Sequence, residues 1–328
     1  MLYQLSYLAG FAASAAQAQT LPSRALRIAL RVRPLRRVGS ARMGTARLQT
    51  DRIILADNID ALPGLPDESF QLIYIDPPFN TGRRQTRRTL QTRLDPGGGR
   101  VGFQGRRFST RLLHQTSYPD DFGDYLDFLV PRLEHAHRLL TRSGTLYVHI
   151  DYREAHYCKL ALDEIFGREC FLNEIIWAYD YGARTKRRWP AKHDTILVYV
   201  KDPEHYLFDS EEVDREPYMA PGLVTAEKAV RGKLPTDVWW HTIVPTTGRE
   251  KTGYPTQKPE GIVRRMVAAS TRRGDWCLDF FAGSGTLGAV AAALGRRFVL
   301  IDSNPEAIRV CRQRLGVDAE PTRNGAVA

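Results

Sequence analysis

Apolar residues along this chain fall into short unbroken runs separated by stretches with a period near 3.6. Arg52–Ala56 (RIILA), Leu72–Asp76 (LIYID), Thr145–Ile150 (TLYVHI), Trp276–Phe280 (WCLDF) and Phe298–Ile301 (FVLI) are short and rich in apolar, β-branched and aromatic residues. Such runs predict strands covered on both faces. Apolar positions at Leu126, Leu129, Val130, Leu133, Leu139 and Leu140 predict a helix over Gly123–Leu140, closed by Ser143-Gly144. Further helices are expected over Arg153–Phe166, Pro259–Arg272, Thr286–Leu294 and Pro305–Leu315. Glu174–Tyr179 and Thr195–Val200 read as a hairpin around the basic tip Arg184–Lys192. Strands alternating with helices predict an α/β fold, a mostly parallel sheet with helices on both faces. Two stretches break the pattern. Residues 81–118, with Pro96-Gly97-Gly98-Gly99 and many arginines, show no sustained period and predict a long mobile loop. Residues 202–250, rich in charge, Pro and Trp, predict a small appended element.

Composition sharpens this picture only through the placement of charge. The net charge is +10, but residues 1–50 and residues 83–118 each carry +8, leaving −6 for the rest. A basic segment on a mildly acidic body suits a polyanionic partner. Arginines make up 39 of the 47 basic residues, so a solvated loop from an arginine-biased genome is the competing explanation. No run of about eighteen apolar residues predicts a membrane span. Cys158, Cys170, Cys277 and Cys311 have neither CxxC nor Cys/His spacing, so reduced buried thiols without zinc or disulfides are expected. The first 42 residues include an Ala-Gln-Ala like a cleavage site but lack a basic amino-terminal region. They are expected to be a disordered or mis-assigned leader, with the working chain, residues 43–328, starting at Met43.

Two stretches carry chemistry. In LIYIDPPFNTG, Pro77 and Pro78 have no N–H for a ladder, so the strand stops and Asp76 and Phe79 sit on a stiff turn at its carboxyl end. That edge of an open α/β sheet is where ligands bind. In DFFAGSGTLG, Gly283, Gly285 and Gly288 form G-x-G-x-x-G between a strand and a helix, and Asp302 ends the next strand. Glycines allow close backbone approach and the acid can hold a ribose, so a nucleotide-type cofactor is expected. Asp302 does not distinguish a nicotinamide dinucleotide from S-adenosylmethionine. Asp279 does, because a carboxylate there suits a cationic ligand and repels a pyrophosphate.

Taken together, YIDPPFNTG, DFFAGSGT and Thr256–Glu260 (TQKPE) closely resemble the motifs of amino-methylating DNA methyltransferases, which modify adenine N6 or cytosine N4. The catalytic motif precedes the cofactor motif, the circularly permuted order of the β group. The resemblance covers about residues 50–315. It implies a Rossmann-like S-adenosyl-L-methionine-dependent fold acting on a flipped base in double-stranded DNA. It also implies Asp76, Pro77, Pro78 and Phe79 as catalytic residues. Asp57, Lys258, Asp279, Phe281, Ala282, Gly283, Ser284, Gly285, Thr286 and Asp302 are implied around the cofactor. DNA contacts are expected from Arg83, Arg84, Arg87, Arg88, Arg106 and Arg107, with target recognition in about residues 171–250, including Arg184, Lys186, Arg187 and Arg188. No metal is expected. Asp rather than Ser at position 76 favours adenine N6, with cytosine N4 and, more remotely, a nicotinamide-dependent oxidoreductase as alternatives. Phe79 stands where tyrosine is common, which keeps ring stacking and drops a hydroxyl. His149 at a strand end reads as a structural histidine. A cytoplasmic, nucleoid-associated protein is expected, with a homodimer and a cognate restriction endonuclease as candidate partners.

Overall fold

Phe70–Ile75 is buried along its whole length, and its side chains alternate between two cores. Ile73 and Ile75 join one cluster while Leu72 and Tyr74 join the other. A strand apolar from Leu72 to Ile75 and buried at every position therefore sits at the centre of a sheet with helices on both sides, as its sequence required. The computed structural model describes residues 48–79, 85–97, 99–101, 107–118, 125–182, 184–316 and 319–321. The leader over residues 1–42, and Arg83, Arg84 and Arg106, lie outside the described residues.

In chain order the strands are β1 (Arg52–Leu55), β2 (Phe70–Ile75), β3 (Gln85–Leu94), β4 (Arg100–Val101), β5 (Arg107–Tyr118), β6 (Leu140–Ile150), β7 (Phe171–Ala178), β8 (His193–Val200), β9 (Val238–Trp240), β10 (Trp276–Asp279), β11 (Arg297–Asp302) and β12 (Ala319–Pro321). The helices are α1 (Asn58–Ala61), α2 (Tyr125–Leu139), α3 (Ala155–Phe166), α4 (Ala226–Arg231), α5 (Glu260–Ser270), α6 (Thr286–Ala293) and α7 (Pro305–Leu315). Nine strands form one sheet in the order β12-β1-β11-β10-β2-β6-β8-β7-β9. Its pairings are parallel except at β6–β8 and β8–β7. Helices α2 and α3 cover one face and α5, α6 and α7 the other.

Three local readings change. Residues 85–118 hold a separate three-stranded antiparallel sheet, β3-β5-β4, where an irregular loop was expected. Its strands are mostly Arg, Thr, Gln and Ser, and Leu90, Leu94, Phe108, Leu112, Leu113 and Tyr118 are too few and too widely spaced for the unbroken apolar alternation by which a buried strand is recognised. Ser143-Gly144 does not close a helix but lies inside β6. A Cβ on Gly144 would meet Leu140 Cδ2 at 2.9 Å and the Phe70 carbonyl at 3.1 Å. The glycine thus admits close approach of β2, whose register shifts there. Finally, Trp239 of the 202–250 segment is buried in β9, which extends the main sheet beside β7. Among the described residues no helix is long and apolar enough to cross a membrane.

Candidate active site

Parallel pairing brings four strand ends to one edge. Leu55 lies opposite Asp302, Leu300 opposite Asp279, and Cys277 and Leu278 opposite Leu72 and Ile73. Asp57, Asp302, Asp279 and Asp76 therefore leave neighbouring strands β1, β11, β10 and β2 at their carboxyl ends, and all four line one cavity of about 450 Å³. That volume is within the range of small-molecule sites.

On the β10 side, the chain turns through Gly283 (φ 51°) and Gly285 (φ 71°) into α6. A Cβ on Gly283 would meet Tyr254 at 3.3 Å, so the glycine keeps the cavity wall thin. Asp279 accepts from the Phe281 N–H (2.9 Å), and Asp302 accepts from Gly283 N–H (2.8 Å) and Asn304 N–H (2.8 Å). Burial pushes the Asp279 carboxyl well above its ordinary pKa, and the negative charges of Asp76 and Asp302 add to the effect. Burial likewise raises Asp302. Such a wall is short of positive charge. It fits a cationic sulfonium amino acid with a ribose and would repel a pyrophosphate, which argues against the dinucleotide reading.

On the β1 side, Asp57 caps α1 through the Ile59 N–H (3.2 Å) and pairs with Arg132 (3.1 Å). Asn58 is buried, donates to the Phe280 carbonyl (2.7 Å) and accepts from Arg132 Nε (2.5 Å). Phe128 and Phe281 meet at 6.0 Å and supply apolar faces for a flat ring.

On the β2 side, Asp76 Oδ2 is ion-paired with Lys258, whose ammonium also lies 4.9 Å from the centre of the Phe79 ring. Asp76 Oδ1 is buried and has no hydrogen-bond partner among the described residues. The Pro78 carbonyl accepts from the Tyr125 hydroxyl at 2.7 Å. A second cavity, of about 540 Å³, adjoins the first, and Phe79, Tyr254, Thr256 and Lys258 line both. Its far wall holds Trp177, Tyr179, Asp194 and Arg188.

All the expected catalytic residues and nine of the ten expected cofactor residues line the first cavity; Gly285 does not. Gly285 serves the turn, because a Cβ there would meet Cys311 Sγ at 2.9 Å. Lys258, expected beside the cofactor, lines both cavities and is ion-paired with Asp76. Arg107, Arg184, Lys186, Arg187 and Arg188 are exposed. Arg87 and Arg88 lie on β3, paired with Thr116 and Gln115 of β5. Reading the sequence missed Asn58, Tyr125, Arg132 and Tyr254. Arg132 alone left a signal, a charge between Leu129 and Leu133 on a buried helical face.

A family model for DNA methylases matches residues 70–313, which include every residue that lines the two cavities except Asp57 and Asn58. The chain belongs to this family. The DNA methylase fold is seen again in the M1.HpyAVI–SAM complex (TM-score 0.52, 19% identity, 81% of this chain and 99% of that one). It also recurs in the PvuII cytosine-N4-specific DNA methyltransferase (TM-score 0.56, 14% identity, 83% and 88%). Among curated methylases, type II methyltransferase M.HpaI of Haemophilus parainfluenzae is 31% identical over 80% of this chain and 74% of its own. DNA adenine methyltransferase YhdJ of Escherichia coli (strain K12) is 30% identical over 81% and 82%.

Proposed function

We propose that this DNA methylase transfers a methyl group from S-adenosyl-L-methionine to the exocyclic N6 of an adenine extruded from double-stranded DNA. The observation that carries the reading is the half-satisfied Asp76 carboxylate in the first cavity, with Oδ2 held by Lys258, which lines both cavities, and Oδ1 buried without a partner among the described residues. A buried acceptor without a donor costs free energy unless a ligand supplies one. The likeness to YhdJ, named as an adenine methyltransferase, supports adenine as the base.

Asp279, Asp302, Asp57 and the Phe281–Thr286 turn would hold the cofactor. Bound there, it supplies an electrophilic methyl group on a positively charged sulfur. The protein's own work is to prepare the amine. An exocyclic adenine amine is a weak nucleophile because its lone pair is delocalised into the ring. Asp76 Oδ1 and the Pro77 carbonyl accept its two hydrogens, which favours a tetrahedral nitrogen and localises the lone pair. Tyr125 occupies the Pro78 carbonyl and so leaves this task to Pro77. The prolines fix the carbonyl direction before the base arrives, which is positioning and electrostatic catalysis. Phe79 offers a stacking face worth about 1–3 kcal/mol. That offsets much of the few kcal/mol of base extrusion.

Arg184, Lys186, Arg187 and Arg188 would contact the DNA, with Arg107 and the remaining arginines of the 83–107 segment on its backbone. The recognition region is small, so a homodimer that shares the reading, a companion restriction endonuclease and a place beside the nucleoid complete the proposal. Long-read sequencing of DNA from a methylation-free host expressing residues 43–328 tests it. N6-methyladenine confined to one short motif is the expected result; N4-methylcytosine would move the target to cytosine, and no modified base would overturn the assignment.

A further inference from the structure

Four polar side chains run in line beneath Phe79, each from a different element. The Tyr74 hydroxyl on β2 lies 3.0 Å from His149 Nδ1 on β6. His149 Nε2 lies 3.1 Å from Asp194 Oδ2 on β8. Asp194 Oδ1 accepts from the Tyr179 hydroxyl at 2.9 Å, just beyond β7. His149 is fully buried and Asp194 nearly so. The Asp194 carboxylate accepts from His149 Nε2, and an imidazole with its hydrogen there can receive the Tyr74 hydroxyl at Nδ1. Burial opposes the charge on Asp194, yet the hydrogen bond and charge of His149, the Lys258 charge and the Tyr179 hydrogen bond outweigh it and lower its pKa.

The chain begins in the first cavity at Tyr74 and ends in the wall of the second at Asp194 and Tyr179. Three of the aromatic rings that line the second cavity, Phe79, Trp177 and Tyr179, pack along it, and Trp177 is held further by its indole N–H on the His241 carbonyl (2.7 Å). The His149 ring lies 6.0 Å from Phe79 and 5.5 Å from Trp177, edge-on to the latter, and Trp177 lies 5.0 Å from Tyr179. A phenylalanine ring has no polar atom to fix its own tilt. Its orientation comes from what it packs against, here the Lys258 ammonium and a histidine held at both nitrogens.

We infer that Asp194 is the positioning residue of the second cavity: through His149 and Tyr179 it sets the Phe79, Trp177 and Tyr179 rings as a preformed slot for the extruded base. The inference rests on the proposed base-extruding reaction and adds a residue that touches neither cofactor nor reacting atoms. A slot set in advance lowers the ordering cost of capturing the base, so its loss acts on extrusion and alignment and leaves cofactor binding alone.

The test compares Asp194→Ala, Asp194→Asn and Tyr179→Phe with the wild type on a duplex containing the methylated site. A fluorescent base replaces the target, 2-aminopurine for adenine or pyrrolocytosine for cytosine, and methyl transfer is followed on natural duplexes. Asp194→Ala is expected to lose most of the fluorescence rise and to slow transfer on the order of 10²-fold, with cofactor affinity unchanged. Asp194→Asn keeps one acceptor and is expected to fall between. Tyr179→Phe removes one hydroxyl from the wall, keeps the fold and is expected to give a smaller loss in the same direction. A mismatch opposite the target makes extrusion cheap, so it should restore much of the rate to Asp194→Ala. Wild-type fluorescence and rate in Asp194→Ala would overturn the inference. So would an equal loss on the mismatched duplex together with weakened cofactor binding, which is a general loosening of the fold. Failure of the wild type to methylate any base would overturn the proposed reaction instead.

Discussion

Asp76 and Asp279 sit in one cavity and face opposite demands. Asp76 has Lys258 on one oxygen, and the other oxygen is open to a donor. Asp76→Ala is therefore expected to abolish methyl transfer while cofactor affinity, read by isothermal titration, stays within a few-fold of wild type. Asp279 has no ion-pair partner among the described residues, and burial and its acidic neighbours favour its protonated form against the Phe281 N–H and the more distant Lys258 charge. A cationic ligand prefers the ionised carboxylate. Cofactor affinity should thus strengthen as pH rises through the elevated Asp279 pKa and level off above it, with proton release on binding below that point. Asp279→Asn should flatten this dependence, and titration at several pH values checks both. Phe79→Tyr keeps the stacking face and is expected to remain active. Phe79→Ala forfeits about 1–3 kcal/mol of stacking, read as weaker base capture in the fluorescence assay.

The turn between β10 and α6 shows how an element is built from its glycines. Gly285 holds a left-handed φ of 71° and Gly288 lies where a Cβ would meet Leu300 at 2.7 Å and Leu315 at 2.9 Å. Gly285→Ala should cost at least about 1–2 kcal/mol of backbone strain. Gly288→Ala should cost about 1–3 kcal/mol of overpacking, and the urea midpoint measures both. These glycines were legible in the sequence because strand, turn, helix and acid followed at fixed spacing. So was Asp76-Pro77-Pro78-Phe79, since two prolines after an apolar run can only end a strand. Arg132 and Tyr125 reach the site from α2, and Tyr254 from the loop before α5. Their roles depend on how distant elements pack, which no local spacing records. The β3-β5-β4 sheet stayed hidden for a different reason: its few apolar residues are too widely spaced to give a continuous alternation. In β9 the signal was present as Trp239-Trp240, but nothing nearby said which sheet it would join.

At the scale of the molecule, charge and strand order matter most. Arg184, Lys186, Arg187 and Arg188 are all exposed on the segment that edges the second cavity. If they neutralise phosphates, the log–log slope of affinity against salt should lose about 0.9 for each one replaced by alanine, which filter binding at graded salt would show. Strand order has a consequence during synthesis. β2 lies between β10 and β6, yet β10 begins at Trp276, about 200 residues after β2 ends at Ile75. At translation rates of about 5–20 residues per second, one edge of the most apolar strand waits on the order of 10–40 s for its partner. Until the carboxyl-terminal third leaves the ribosome, the nascent chain carries an open template for mispairing. Chains halted before Trp276 should therefore aggregate or remain protease-sensitive, and those extending past α7 should not. Putting the strand that leads to Asp76 so far ahead of β10 in the gene leaves its folding to be completed last.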